Sequence, residues 1–444
     1  MSAHRLIDAL ATSDAVLDAF SDTAVLQAML DFEVALARVE ARAGLIPVSA
    51  ADAVAIAAQV DAFDAVTIAR EARRSATVSI PFVAALTARV RATSPESAAY
   101  VHWGATSQDV ADTALVLLLA RVRPVLAAEH ARLSASLRRL SDTHASTIML
   151  GRTLMQPATP ITFGLKAAVW YSTAARGWTR LAQALDDAAT VQFGGAAGTL
   201  AVLGDAGPAI GRALAHELGL HSSLPWHTDR GGLAAVVSAC GIYTGALGKI
   251  ARDITLLSQS EVGEVAAAGA GSSTMPHKQN PAGCAIALAA ATRLPGIVAG
   301  FLAGLPQEHE RAAGGWQAEW SSVSAAIETT GAALAAMAAT TEALQVFPDR
   351  MRANLDATGG AIFAERAIFL LRPLVGRDAA LAIVDGALEE SRASGVTFGA
   401  ALRAHPDAGR VLPAAQLDRI DRPEDYLGSA ETFRRELVDS PQDA

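Results

Sequence analysis

Eleven residues, Gly271-Ser272-Ser273-Thr274-Met275-Pro276-His277-Lys278-Gln279-Asn280-Pro281, set two adjacent serines, a lysine and a carboxamide between a glycine and a proline. Together they give the segment polar and charged groups that can bind and act on a ligand. The run before it, Val265 to Gly271, contains only valine, alanine and glycine, so it has little side chain to anchor it and can move as a lid. After Pro281 an alanine-rich helical pattern resumes, with proline where a missing N–H costs nothing. A structural loop seldom needs Ser-Ser, Lys and Asn together, so the segment reads as functional.

Four further polar clusters interrupt apolar helical sequence. In His102-Trp103-Gly104-Ala105-Thr106-Ser107-Gln108-Asp109, the hydroxyls of Thr106 and Ser107 suit a helix cap, a carboxylate site at a helix N-terminus, or both. Gly151 to Pro160 offers Arg152 as a bidentate donor, Thr153, and Gln156 as an orienting amide. Phe193 to Thr199 is glycine-rich, which lets a ligand approach the backbone, although such turns are common. In Trp226-His227-Thr228-Asp229-Arg230, Arg230 can bind an anion or pair with Asp229 or a neighbouring helix acid. A dense polar and aromatic turn, Glu308 to Arg311 with Trp316 to Trp320, suits the walls of a site.

Other chemistries lack their motifs. No HExxH or CxxC spacing supports a metal centre, no GxGxxG follows a strand, and no Walker motif occurs, so neither metal nor cofactor is expected. Net charge is −9 with no Lys/Arg block, which speaks against nucleic acid as a partner. The two cysteines, Cys240 and Cys284, sit in apolar helical patterns and read as buried thiols of a reducing cytoplasm. Gly231 to Gly248 is uncharged for 18 residues, but it is rich in Gly, Ala and Ser and runs into a charged amphipathic helix. It reads as a helix buried in a soluble bundle, with no membrane partner.

The elements that must position these groups are helical. Alanine dominates and aromatics make up only 5% of the 444 residues, which favours closely packed helices over a sheet. The first strong helix follows Ser21-Asp22-Thr23, with Val25, Met29, Phe32, Leu36 and Val39 on one stripe and Gly44 and Pro47 ending it. Long helices are expected near 107–145, 160–188, 229–266, 282–305 and 318–346. Helices this long and this apolar outrun what one subunit can cover, which points to a multi-subunit bundle. The chain divides at about 1–105, 106–350 and 351–444.

These residues resemble a known group. Gly271 to Pro281 matches the GSSxMPxKxNP signature of the fumarase/aspartase superfamily, and His102 to Asp109 and Gly151 to Gly164 resemble its other shared regions. His102-Trp103-Gly104, Gln192 to Gly195, Trp226-His227-Thr228 and Trp316 to Trp320 are similar to its 3-carboxy-cis,cis-muconate cycloisomerase branch, which serves protocatechuate degradation. The resemblance implies an all-α, three-domain fold whose central bundle is completed by homotetramerisation, with each site shared by three subunits. It implies Ser272, Lys278 and Asn280 as catalytic residues, and His102, Thr106, Ser107, Arg152, Thr153, Gln156, Arg230, Ser273 and Met275 as substrate-binding residues. The substrate would be a small tricarboxylate, closed to a γ-lactone through an aci-carboxylate. One departure is informative: Leu154 stands where lyases of the superfamily commonly carry an acid histidine after Arg-Thr. That argues against adenylosuccinate-type chemistry, the alternative in which fumarate is released from a substituted succinate.

Overall fold

The computed structural model describes residues 6–267, 275 and 278–439. The described chain is built almost wholly of α-helices. In the first long one, α1 (Asp22–Arg42), the Ser21 hydroxyl accepts from the Ala24 N–H at 3.3 Å. Its stripe of Met29, Phe32, Leu36 and Val39 is buried, and Gly44 ends it at φ 72°. After a ten-residue helix at Val48–Ala57 come α2 (Ala65–Ser75) and α3 (Ser79–Thr93), then the 37-residue α4 (Ser107–Thr143).

A hairpin of β1 (Ile148–Thr153) and β2 (Gln156–Thr162) precedes α5 (Phe163–Asp187), and α6 (Gly231–Leu257), α7 (Ala282–Ala303) and α8 (Gly315–Glu342) complete the long helices. All five long helices lie where the apolar periodicity places them. Their ends differ in two places. Residues 160–162 belong to β2 because the hairpin's ladder claims their backbone groups. The expected extensions to 266 and 346 instead form a short ladder, Val265–Ala266 against Gln345–Val346, after Gly263 turns the chain at φ 62°.

Cα proximity sorts the chain into two discontinuous units: residues 1–131, 176–248 and 285–337, and residues 132–175, 249–284 and 338–444. This division cuts across the five long helices, whereas the sequential division at about 105 and 350 follows element length. The first unit's core joins Met29, Phe32 and Leu36 to Phe82 and Leu86 of α3, Val110 and Leu117 of α4, and Ile210 and Leu214. A separate core in the second unit gathers Phe363, Leu371, Ile383, Phe398, Leu402 and Ile420.

By length and composition α6, α7 and α8 could each cross a membrane, and 61%, 22% and 67% of their apolar windows are buried within the chain. Cys240 and Cys284 are free and buried, and burial pushes their thiols up to about 12 and about 11.

Candidate active site

Three of the polar clusters converge in the first unit on one buried carboxylate, Asp109. Its Oδ1 accepts from Gln192 Nε2 (2.9 Å), Gly194 N (3.0 Å) and His227 Nε2 (3.0 Å). Its Oδ2 accepts from Gly195 N (2.9 Å) and Thr106 N (3.0 Å), the last closing half of a capping box at the start of α4. The glycines are needed for this approach: a Cβ on Gly194 would lie 2.7 Å from the His227 ring, and Gly195 has φ 67°. The 193–199 turn thus offers these two amides to Asp109 and not to a ligand. That differs from the sequence expectation because a fully buried carboxylate must collect donors from its own chain.

One turn further along α4, Asp112 receives Arg230 bidentately at 2.7 and 2.9 Å. Glu319 of α8 takes the same guanidinium at 2.9 and 3.1 Å through Nε, and the Trp226 ring lies 4.7 Å from it. Trp316 Nε1 (2.9 Å) and Gln108 Nε2 (3.0 Å) also donate to Asp112, and Gln307 donates to Glu319 (2.7 Å). Arg230 is 1% exposed. Burial alone would lower its pKa, but the Asp112 carboxylate, with Glu319, outweighs burial and raises it. Of the two sequence expectations for Arg230, pairing with a neighbouring helix acid is the one observed. Anion binding is not, because two carboxylates already occupy every nitrogen of the guanidinium.

Arg311, by contrast, has no acid partner among the described residues. Its Nη2 donates to the Thr106 hydroxyl (3.1 Å) and to the Ala196 carbonyl (3.1 Å), while its buried Nε has no partner. The Thr106 hydroxyl therefore faces a cation at the N-terminus of a 37-residue helix, where dipole and free N–H groups also favour an anion. Sequence reading placed Arg311 in a wall; only the lack of a nearby acid, invisible in sequence, distinguishes it. Ser107 opens α4, and its carbonyl accepts from the Ser79 hydroxyl (2.8 Å). His102 Nδ1 lies 2.6 Å from Glu33 Oε1 with φ 61°. Burial lowers its pKa, but the Glu33 charge more than compensates, so the imidazole holds its proton above the usual range.

The remaining expected site residues lie in the second unit. Arg152 forks onto the fully buried Glu264 (2.7 and 3.0 Å), which Asn354 also contacts (2.8 Å), so its bidentate face is used within the chain. Lys166 on α5 stands in the field of this pair, and burial lowers its pKa despite attraction from Asp253. Thr153 pairs with Gln156 across a two-residue turn whose residues, Leu154 and Met155, both have positive φ (50° and 64°) and are exposed. Asn-Gly is the usual occupant of such a turn. Met275 and Lys278 are exposed and Asn280 is half-buried just before α7. Ser272 and Ser273 lie outside the described residues. The expected site residues thus fall into two groups, one in each unit, with Arg311 added to the first.

Comparison with known proteins extends this picture. The sequence profile described as "Lyase" matches residues 9–296. A 3-carboxy-cis,cis-muconate cycloisomerase of Bradyrhizobium diazoefficiens is 41% identical over 440 residues, covering 98% of each chain. A nitrosuccinate lyase of Streptomyces davaonensis is 42% identical, covering 96% of this chain and 92% of its own. Among solved structures, the 3-carboxy-cis,cis-muconate lactonizing enzyme of Pseudomonas putida superposes with a TM-score of 0.93 at 39% identity, covering 98% of both chains.

Proposed function

The chain belongs to the lyase family, and we propose that within it the protein catalyses the cycloisomerisation of 3-carboxy-cis,cis-muconate to a γ-lactone. The observation that carries this reading is end-to-end similarity, at about 40% identity, to relatives bearing that activity. A carboxylate oxygen of the substrate adds to a C=C bond while the neighbouring carbon gains a proton. Between the two events stands a dianionic aci-carboxylate, and donors that favour it over the ground state lower the barrier. Lys278 and Asn280 hold that group, and Ser272 moves the carbon-bound proton. Arg311 with Thr106 and Ser107 binds a second carboxylate at the start of α4. His102, Thr153, Gln156, Ser273 and Met275 complete the surroundings, while Arg152 contributes through its pair with Glu264.

The protein works as a homotetramer whose sites draw on three subunits. Two features support this: α7 has only 22% of its apolar window buried within one chain, and the hairpin tip presents Leu154 (96% exposed) and Met155 outward. A strained turn that displays apolar side chains is a reasonable element for one subunit to insert into another. The buried free thiols suit a cytoplasmic enzyme of protocatechuate degradation.

A second reading, release of fumarate, has the 42% identical nitrosuccinate lyase in its favour. Leu154 does not separate the two. Nitrite, like a carboxylate, is a weak base that leaves without an imidazole acid. The distinguishing experiment is NMR identification of products from 3-carboxy-cis,cis-muconate and from nitrosuccinate. Lactone from the first is expected, whereas fumarate from the second with no lactone would replace the proposal.

A further inference from the structure

A cavity of about 290 Å³ opens in the first unit beside α4, near the lower end of the ~300–1,000 Å³ common for small-ligand sites. Arg73 and Thr77 from the α2–α3 junction, Ala111 of α4, and Trp316, Gln317 and Trp320 of α8 line it. Nothing assigned above uses it. Arg73, in the last turn of α2, is exposed and has no ion-pair partner among the described residues. The two indoles make much of the wall apolar, and Arg73 is the cation on it.

The cavity's walls are tied to the start of α4. Ser79 donates to the Ser107 carbonyl at 2.8 Å, and Trp316 donates to Asp112 at 2.9 Å. Ala111 lies on the same helical face as Ser107, one turn on. Along the helix axis Thr106 and Ala111 are separated by about 7.5 Å, a span that an extended six-carbon chain can cover.

We propose that this cavity is the subsite for a further carboxylate of the substrate, the one carried on the branch of the diene. Arg73 is its partner, and the two indoles flank the conjugated chain. This assignment rests on the functional reading above and makes Arg73 a specificity-determining residue. Arg311 and Thr106 take one charge of the tricarboxylate, and Lys278 and Asn280 take the one that becomes the aci-carboxylate. Arg73 is the cation that lines the cavity and is left for the third charge.

The test compares Arg73→Met and Arg73→Lys with the unaltered protein, each checked for an unchanged melting temperature. Loss of one charge-assisted contact is expected to lower kcat/KM for 3-carboxy-cis,cis-muconate by roughly 10- to 150-fold in Arg73→Met, through KM more than kcat. Arg73→Lys should recover part of the loss. In parallel, tryptophan fluorescence titrations with propane-1,2,3-tricarboxylate and with glutarate report binding without turnover. The unaltered protein should prefer the tricarboxylate, and Arg73→Met should erase the preference. Lactone formation with an unchanged KM in Arg73→Met would overturn the subsite and leave the functional reading standing. An Arg73-dependent preference in a protein that forms no lactone would do the reverse.

Discussion

Glu40 supplies the perturbation whose size follows most directly from the structure. It lies on α1 seven residues after Glu33, on the same buried face, with no exposed surface and no partner for either carboxylate oxygen. Burial, followed by the nearby Glu33 charge, raises its pKa from 4.5 to about 8. Between those values the folded chain holds a proton that the unfolded chain releases, so stability falls as pH rises across that interval. At 1.36 kcal/mol per unit the whole shift approaches about 5 kcal/mol, of which about 4 kcal/mol is lost between pH 5 and pH 9. Glu40→Gln keeps the shape and removes the titration. Urea unfolding of both proteins across this range, at fixed concentration so that subunit association does not enter, reads the difference. Subtracting the variant's profile also removes the His102–Glu33 pair, whose own raised imidazole pKa tilts stability the same way. The variant should gain on the unaltered protein steadily as pH rises. Parallel profiles, within about 0.5 kcal/mol, would refute the placement of an unpartnered carboxyl in this core.

Arg230 and Arg311 should behave oppositely when changed to methionine. Arg230→Met leaves Asp112 and Glu319 buried and unpaired, so a stability loss of about 3–5 kcal/mol in urea unfolding is expected. Arg311→Met should leave the melting temperature near its starting value and raise KM at least tenfold in steady-state assays. Replacing Leu154-Met155 by Asn-Gly relieves two left-handed residues, each costing on the order of 1–2 kcal/mol, so the hairpin should become more stable in thermal melts. If that tip serves a neighbouring subunit's site, activity should fall in the same variant.

The five long helices were legible because apolar spacing over 20 or more residues has one solution, and the cap at Ser21 and the stop at Gly44 fixed α1 as expected. The overshoot of α6 and α8 arose where Val265 and Val346 found each other, a pairing between residues 81 apart that periodicity cannot encode. The site was legible as a set of clusters but not as a set of roles. Arg230 and Arg311 look alike in sequence; what separates them is that Asp112 and Glu319, on distant parts of α4 and α8, come to one and not the other. Likewise the Gly194–Gly195 turn resembles a ligand cradle until Asp109 is seen filling it. Burial decides which polar groups are spent on the fold, and it is a property of the assembled chain.

The proton-handling role proposed for Ser272 is where the chemistry stands or falls. The measurement is kcat for Ser272→Ala at saturating 3-carboxy-cis,cis-muconate, with binding followed separately by tryptophan fluorescence. A fall of about 10²–10⁴-fold with substrate affinity retained is expected for loss of a positioned proton-transfer group. Turnover close to that of the unaltered enzyme would contradict the mechanism.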